Sequence, residues 1–166
     1  MIFNSMDQRV ETLIRDLGLM PHPEGGHYRE LHRSTLRVDP QDGRGERNAL
    51  TTIYFLLPAG EMSRWHRVTS DEVWHHLEGA PLELMVSDAN FHAVERRTLG
   101  PLQSDLEPEV VVPPMHWQAA RSMGGYTLVA CVVGPGFDFE DFVMLRDLPV
   151  EREEMRSRQP DFAELI

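Results

Sequence analysis

The sequence contains no lysine, so all 16 of its basic residues are arginines. This absence excludes Schiff-base chemistry, pyridoxal phosphate attachment and phosphate-binding loops, each of which depends on a lysine amine. The arginines are scattered along a chain whose net charge is −11. Nucleic acids and anionic membranes are bound through concentrated positive charge. We therefore expect neither as a partner.

Cysteine and long apolar runs are also scarce. Cys131 is the single cysteine, which excludes an internal disulfide. No apolar run reaches the roughly 18 residues of a membrane-spanning helix, and the first ten residues lack the pattern of a secretory signal peptide. These features predict a cytoplasmic protein. With 166 residues, 41% hydrophobic and 26% charged, the chain is expected to form one domain over 1–166.

One helix is predicted near each end of the chain. Four apolar residues recur at helical spacing near the N-terminus: Val10, Leu13, Ile14 and Leu17. They predict an amphipathic helix over about 6–17. The charged segment 150–158 predicts a second, short helix that ends before Pro160.

Between these helices, short apolar segments alternate with turn residues. The predicted strands lie near 27–33, 49–57, 62–68, 72–78, 82–87, 91–97, 109–113, 116–121, 125–133 and 139–145. About ten short strands at this spacing favour an antiparallel sandwich or barrel over about 25–146. Residues 39–48 are rich in turn formers and charges, which predicts an exposed loop.

The functional prediction depends on His66 and Glu72. They lie on two predicted strands joined by a short turn, so a hairpin would bring the imidazole and the carboxyl together. Because alternate residues of a strand share a face, Arg64 lies on the face of His66, and Trp74 and His76 lie on that of Glu72. Inside a barrel, the His–Glu pair can bind a metal, act as a general base or hold a polar ligand. On the surface it would be an ordinary cross-strand pair.

The spacing of these residues resembles the first motif of the cupin superfamily, G-x5-H-x-H-x3,4-E-x6-G. Gly60, His66, Glu72 and Gly79 match it, and Val68 stands in place of its second histidine. The resemblance implies an all-β cupin fold, which is a double-stranded β-helix or jelly-roll barrel. It also implies a homodimer in which an early segment pairs across the interface.

Further blocks strengthen this resemblance. The second cupin motif, P-x-G-x2-H, falls on Pro113, Met115 and Gln118. Within the superfamily, the chain is most similar to the Cupin_5-type subfamily of unknown function. The similar blocks are 17–30, 51–84, 110–120 and 126–142. Together they cover most of the chain.

The residues at the cupin metal positions differ from the usual ligands. Metal-binding cupins use two histidines and a glutamate of the first motif and a histidine of the second. Here those positions hold His66, Val68, Glu72 and Gln118. Valine cannot ligate, and a glutamine amide is a poor ligand for a transition metal. We expect no cofactor, and leave open a weakly held divalent metal on His66, Glu72 and Gln118.

A small-molecule pocket is the expected alternative to a metal centre. The candidate ligand contacts are Arg64, Trp74, His76, Gln118 and, according to strand register, Tyr54 or Phe55. The indole of Trp74 can stack on a sugar ring, and the guanidinium of Arg64 can form a bidentate contact with a carboxylate or phosphate.

A second cluster, EGGHYRE at 24–30, is similar to the region before the barrel in cupin-fold deoxysugar-nucleotide epimerases. The similarity implies that Arg29 contacts phosphates. In those epimerases a histidine is the base and a tyrosine the acid at a carbon beside a carbonyl. His66 matches the base, with Glu72 available to tune its pKa. The acid has three candidates: Tyr28, Tyr54 and Tyr126.

The sequence therefore predicts a protein that binds a small polar, sugar-like metabolite. His66 and Glu72 would act on it as a metal-independent epimerase, isomerase or lyase. Two alternatives stay open. One is a non-catalytic module that binds or senses a ligand, and the other is a metal-dependent cupin enzyme with an incomplete ligand set.

Overall fold

The computed structural model describes residues 5–166, which form two facing β-sheets with a helix on the outer face of each. The helices are α1 (Ser5–Leu17) and α2 (Pro149–Arg158). The strands are β1 (Met20–Pro21), β2 (His27–Arg33), β3 (Arg37–Val38), β4 (Arg47–Asn48), β5 (Thr51–Pro58), β6 (Met62–Val68), β7 (Asp71–Gly79), β8 (Leu82–Ser87), β9 (Val94–Leu99), β10 (Glu109–Val112), β11 (Trp117–Ser122), β12 (Tyr126–Gly134) and β13 (Phe142–Met144). Short 3-10 turns span Phe139–Asp141, Leu145–Asp147 and Pro160–Leu165.

The strand order defines a barrel made of two antiparallel sheets. One sheet runs β1-β2-β5-β12-β7-β10 and the other runs β13-β6-β11-β8-β9, while β3 and β4 form a small separate ribbon. Consecutive long strands often lie in opposite sheets, which is the jelly-roll arrangement. The predicted antiparallel β-architecture with a helix toward each end is confirmed.

The barrel interior is filled with hydrocarbon in one part and hollow in the other. Trp74, Leu84, Val112 and Val129 belong to the hydrophobic cluster that fills the closed part. Phe55 also belongs to this cluster and lines the cavity beside it. The packed part gives the fold its core, so the hollow part is free to bind a ligand.

The two helices cover the outer faces of the sheets. The apolar stripe of α1 packs on Leu56 and Leu128 of the six-stranded sheet. Met155 of α2 packs with Trp65 and Trp117 on the other sheet. Within residues 5–166, neither helix has the length and apolar character needed to cross a bilayer.

Three local predictions are corrected by the structure. Residues 39–48 are not wholly an exposed loop, because Arg47 is buried against Asp141 and pairs with Val38. Residues 91–93 are not strand, because Phe91 has a φ of 55° in the turn that follows Asp88. The strand predicted from 139 begins at Phe142, after a 3-10 turn.

The predicted β6–β7 hairpin is also wrong. β6 pairs with β11 and β13, whereas β7 pairs with β12 and β10. The chain crosses from one sheet to the other between Val68 and Asp71. His66 and Glu72 therefore come from opposite walls of the barrel, and both reach its interior.

Candidate functional site

A cavity of about 440 Å³ occupies the hollow part of the barrel. His66 and Val68 reach it from β6, Glu72 from β7 and Cys131 from β12. Alternation along each strand turns these side chains inward. The remaining lining residues are Met20, His22, Glu24, Tyr28, Arg29, Glu30, Arg33, Thr51, Ile53, Phe55, Val133, Phe137, Asp138, Phe139 and Phe142.

The direct carboxyl partner of His66 is Glu24. His66 Nε2 lies 3.2 Å from Glu24 Oε2, and both side chains are buried. The Arg64 carbonyl accepts a hydrogen bond of 2.8 Å from His66 Nδ1, which places the proton of the neutral ring on Nδ1. His66 Nε2 is then an acceptor, so its contact with Glu24 requires a proton on the Glu24 carboxyl.

Glu24 reaches the interior because the chain before β2 enters the open end of the barrel. Its backbone carbonyl accepts from the Arg64 N–H at 2.9 Å, and its Oε1 accepts from Ser63 Oγ at 2.8 Å. Gly25 makes this approach possible, since a Cβ there would lie 2.0 Å from the Met62 carbonyl oxygen. Its φ of +111° is also poorly tolerated by side chains.

The site residues predicted from the sequence do not include Glu24, although the sequence contains a signal for it. The double glycine after it indicates a backbone that turns sharply and packs closely. The resemblance to the epimerases pointed to Arg29 in this segment instead. The acidic residue next to the glycines is the one placed against His66.

Glu72 is held by a chain of hydrogen bonds behind the cavity. The Trp74 indole Nε1–H donates to Gln118 Oε1 at 2.9 Å, and Gln118 Nε2 donates to Glu72 Oε2. Indole nitrogen can only donate, so it fixes the orientation of the amide. Trp74 and Gln118 are fully buried and orient the carboxyl without lining the cavity.

Burial sets the protonation of this group of residues. It raises the pKa of Glu24 to about 8. It also raises the pKa of Glu72 to about 7, with a further increase from the charge of Glu24 and opposing effects of His66 and Gln118. Burial lowers the pKa of His66. At neutral pH, the proton between Glu24 and His66 therefore lies on the carboxyl, and Glu72 is about half ionised.

His22 is a second cavity residue that is absent from the predicted site. Burial lowers its pKa to about 3, so the ring is neutral. Its Nδ1 accepts from the Glu24 backbone N–H at 3.3 Å. Its ring packs edge-on against Tyr28, with 4.5 Å between centroids. Of the three candidate tyrosines, Tyr28 alone lines the cavity, while Tyr54 and Tyr126 pack beside α1.

The mouth of the cavity carries charged residues. Arg29 lines it and donates to the Leu17 carbonyl at 3.0 Å. Arg33 donates from Nε and Nη2 to the two carboxylate oxygens of Glu30, at 3.0 and 2.8 Å. Phe139 is 56% exposed there.

Besides Trp74 and Gln118, three more of the predicted ligand contacts do not line the cavity. Arg64 donates to the Ile166 carbonyl at 3.1 Å, where the C-terminal turn packs on β6. His76 lies four residues beyond Glu72 along the strand, and its ring is hydrogen-bonded to the Ala80 carbonyl at 3.2 Å. The β5 register turns Phe55 inward and Tyr54 outward, toward α1.

Gln118, one of the three ligands suggested for a weakly held metal, is already hydrogen-bonded by its neighbours. The oxygen of Gln118, its only ligating atom, is bound to Trp74, and its nitrogen faces Glu72. Among residues 5–166, no three His, Cys, Asp or Glu side chains are arranged to hold a metal ion.

Known proteins share this architecture. A hypothetical protein from Leishmania major superimposes with a TM-score of 0.81 and 32% identity, covering 94% of this chain and 95% of its own. Protein SO0799 from Shewanella oneidensis gives a TM-score of 0.78 and 31% identity, covering 93% and 92%. The uncharacterised protein YML079W of Saccharomyces cerevisiae is 26% identical over 152 residues, which are 82% of this chain and 75% of that protein.

The family itself follows from the extent of the match. The sequence model described as Cupin superfamily (DUF985) matches residues 11–145, which include α1 from its seventh residue and every strand through β13. The cupin barrel expected from the two motifs is thereby confirmed. The chain belongs to the Cupin_5 family of the cupin superfamily.

Proposed function

We propose that this cupin binds a small polar metabolite in its cavity and transfers protons to and from it, as an isomerase, epimerase or lyase does. One observation carries the proposal. The buried Glu24–His66 contact of 3.2 Å and the buried carboxyl of Glu72 line the same cavity of about 440 Å³. Carboxyls whose pKa values lie near neutrality are suited to general acid and base catalysis.

The contacts of His66 argue for a different base from the one expected. Its Nδ1 donates to the Arg64 carbonyl and its Nε2 faces Glu24, so neither nitrogen is left for a ligand. Glu72 has a pKa of about 7 and is therefore partly ionised at neutral pH. We assign the base to Glu72 and the acid to Glu24, with His66 as the partner that holds the proton of Glu24.

The proposed reaction is proton transfer at a carbon beside a carbonyl. Glu72 takes the proton as the C–H bond breaks, and the electron pair forms the C=C bond of an enol. The carbonyl oxygen replaces His66 Nε2 as the acceptor of the Glu24 O–H and receives its proton. Return of a proton to the opposite face of the same carbon, while the enol O–H proton goes back to Glu24, gives an epimer. Where the first carbon carries a hydroxyl, return of a proton to the former carbonyl carbon, with loss of that hydroxyl proton to a carboxylate, gives an isomer. The two carboxyls start in complementary protonation states, as such a step requires.

Hydrogen exchange in D2O tests this function whatever product the reaction forms. The probes are reducing sugars and sugar acids with a hydrogen beside the carbonyl. NMR measures the rate at which the signal of that hydrogen is lost. We expect exchange with the native protein and a decrease of about 100-fold or more in Glu72→Gln. The matched control is Glu61→Gln, because the Glu61 side chain is 41% exposed and does not line the cavity. Equal exchange rates in native protein and Glu72→Gln would refute the role of Glu72.

A non-catalytic binding module is the second candidate. It is favoured by the saturated hydrogen bonding of His66 and by the fixed position of Glu72 on Gln118, which also suit a rigid receptor. A sugar that raises the unfolding temperature of the protein and never exchanges in D2O would favour this module over the enzyme.

A further inference from the structure

The deep part of the cavity and its mouth carry different charged residues. Glu24 and Glu72 lie deep and buried, whereas Arg29 and Arg33 line the mouth. Burial keeps the two cavity histidines neutral at neutral pH. Hence, among the described residues that line it, the deep part holds two carboxyls and no cationic side chain.

At the mouth, a carboxylate neutralises the charge of Arg33, whereas Arg29 donates to the Leu17 carbonyl. Arg33 binds Glu30 through two hydrogen bonds, and its Nη1 donates to Asn48 Oδ1 and the Phe137 carbonyl at 3.1 and 2.9 Å. Asp138 caps the following 3-10 turn by accepting from the Glu140 N–H at 2.9 Å. Among the described residues, an anionic group that entered past this rim would find no cationic side chain in the deep part to pair with.

Aromatic rings form one side of the same cavity. Phe142 lies 5.5 Å from the ring of His66 and 5.8 Å from that of Phe137. Phe139 completes the group, 5.0 Å from Phe137. Aromatic faces attract cations, most strongly where water is excluded, and carboxylates add to that attraction.

We infer that the ligand of this cavity presents a positively charged nitrogen to Glu24 and Glu72, with the phenylalanine wall against its carbon skeleton. A neutral polyol would satisfy the carboxyls by hydrogen bonding and would leave the attraction of the rings for a cation unused. An anion would be repelled by the ionised form of Glu72 and would meet no cationic side chain among the described residues of the deep part. The inference deepens the proposed function, because it names the class of ligand for the same site.

A matched series of probes tests the charge of the ligand. Glucosamine, glucose and glucuronate share one ring and carry charges of +1, 0 and −1, and tetramethylammonium chloride probes the cation without a sugar. Each is added at 50 mM, at constant ionic strength, and the unfolding temperature is measured. We expect glucosamine and tetramethylammonium to raise it, glucose to raise it less and glucuronate to have the smallest effect.

Variants attribute the effect to this cavity. Glu72→Gln and Glu24→Gln, each checked for native circular dichroism, are expected to lower the affinity for glucosamine at least tenfold, and Glu61→Gln to leave it unchanged. The inference is overturned if neither cation shifts the unfolding temperature, if glucuronate shifts it most, or if both carboxyl variants bind glucosamine as the native protein does. Proton exchange in D2O is measured separately, so either hypothesis can fail while the other stands.

Discussion

At the scale of single residues, the site combines groups that are costly to bury. Two carboxyls and two imidazoles are kept from water, and the protein lowers the cost by keeping the imidazoles neutral and a proton on Glu24. Ser63 and Gln118 supply the hydrogen bonds that the carboxyls lose on leaving water. Burial of these groups lowers the stability of the fold and gives the site carboxyls whose pKa values suit proton transfer.

The raised pKa of the buried Glu24 carboxyl predicts how the stability of Glu24→Gln depends on pH. The pKa of Glu24 is about 8 in the folded protein and 4.5 in an ordinary environment. Between these values the unfolded chain releases the proton first, so the native free energy of unfolding falls as pH rises, by up to about 1.4 kcal/mol per unit. Glu24→Gln lacks this contribution. Its stability relative to native protein should therefore increase from pH 5 to pH 8.

Urea denaturation at several pH values measures this difference. The slope is the informative quantity, because loss of the contacts with Ser63 and His66 shifts the absolute stability of the variant at every pH. Glu61→Gln, an exposed carboxyl outside the cavity, should show the native slope. Parallel curves for native protein and Glu24→Gln would contradict a raised pKa at Glu24.

Residue types and spacing identified only part of the site. The cupin motif placed His66 and Glu72 in the interior, because motif positions and strand alternation are local properties of the sequence. It could not show that they come from opposite sheets, since pairing depends on the whole topology. Glu24 and His22 come from a segment outside both motifs, and only the folded chain places them against His66.

At the scale of elements, the strands were predicted closely and the connections were not. Most predicted strands begin and end within two residues of the observed ones, because apolar alternation and turn residues mark them in the sequence. The β3–β4 ribbon and the C-terminal 3-10 turn, Pro160–Leu165, were missed. Both depend on contacts with distant parts of the chain, such as Arg47 with Asp141.

The segment that delivers Glu24 gives a prediction at this scale. Gly25→Ala would place a Cβ 2.0 Å from the Met62 carbonyl and would strain a φ of +111°, so the segment must leave its position. Gly43→Ala is the matched control, because Gly43 has a φ of +93° and open space around it. Strain alone should cost about 1–2 kcal/mol in the control. We expect a clearly larger loss in Gly25→Ala, measured by urea denaturation, and equal losses would show that the close approach is not needed.

At the scale of the whole molecule, the barrel has an open edge beside the site. β1 covers only His27 and Tyr28 of β2. Within residues 5–166, no strand lies on the outer side of Arg29–Arg33, and Leu31 there is 41% exposed. Open edges are normally covered or charged. We propose that a second copy of the chain covers this edge in a homodimer, in agreement with the early-segment pairing implied by the family resemblance.

Light scattering coupled to size-exclusion chromatography measures this assembly. We expect twice the chain mass of 19.1 kDa for the native protein and a shift toward the single-chain mass in Leu31→Asp. Leu102→Asp is the control, because Leu102 is 85% exposed and lies between β9 and β10, and β10 is at the opposite edge of the six-stranded sheet. A native protein that elutes with the single-chain mass at micromolar concentration would contradict the dimer.

The ligand class, the acid and base roles and the pH dependence all require carboxyls inside the barrel that titrate near neutral pH. Carbon-13 NMR of protein labelled at the glutamate carboxyl carbons measures this directly, with Glu24→Gln and Glu72→Gln identifying the two resonances. We predict titration midpoints near 8 for Glu24 and near 7 for Glu72. Midpoints close to 4.5 for both, as in water-exposed glutamates, would contradict the account.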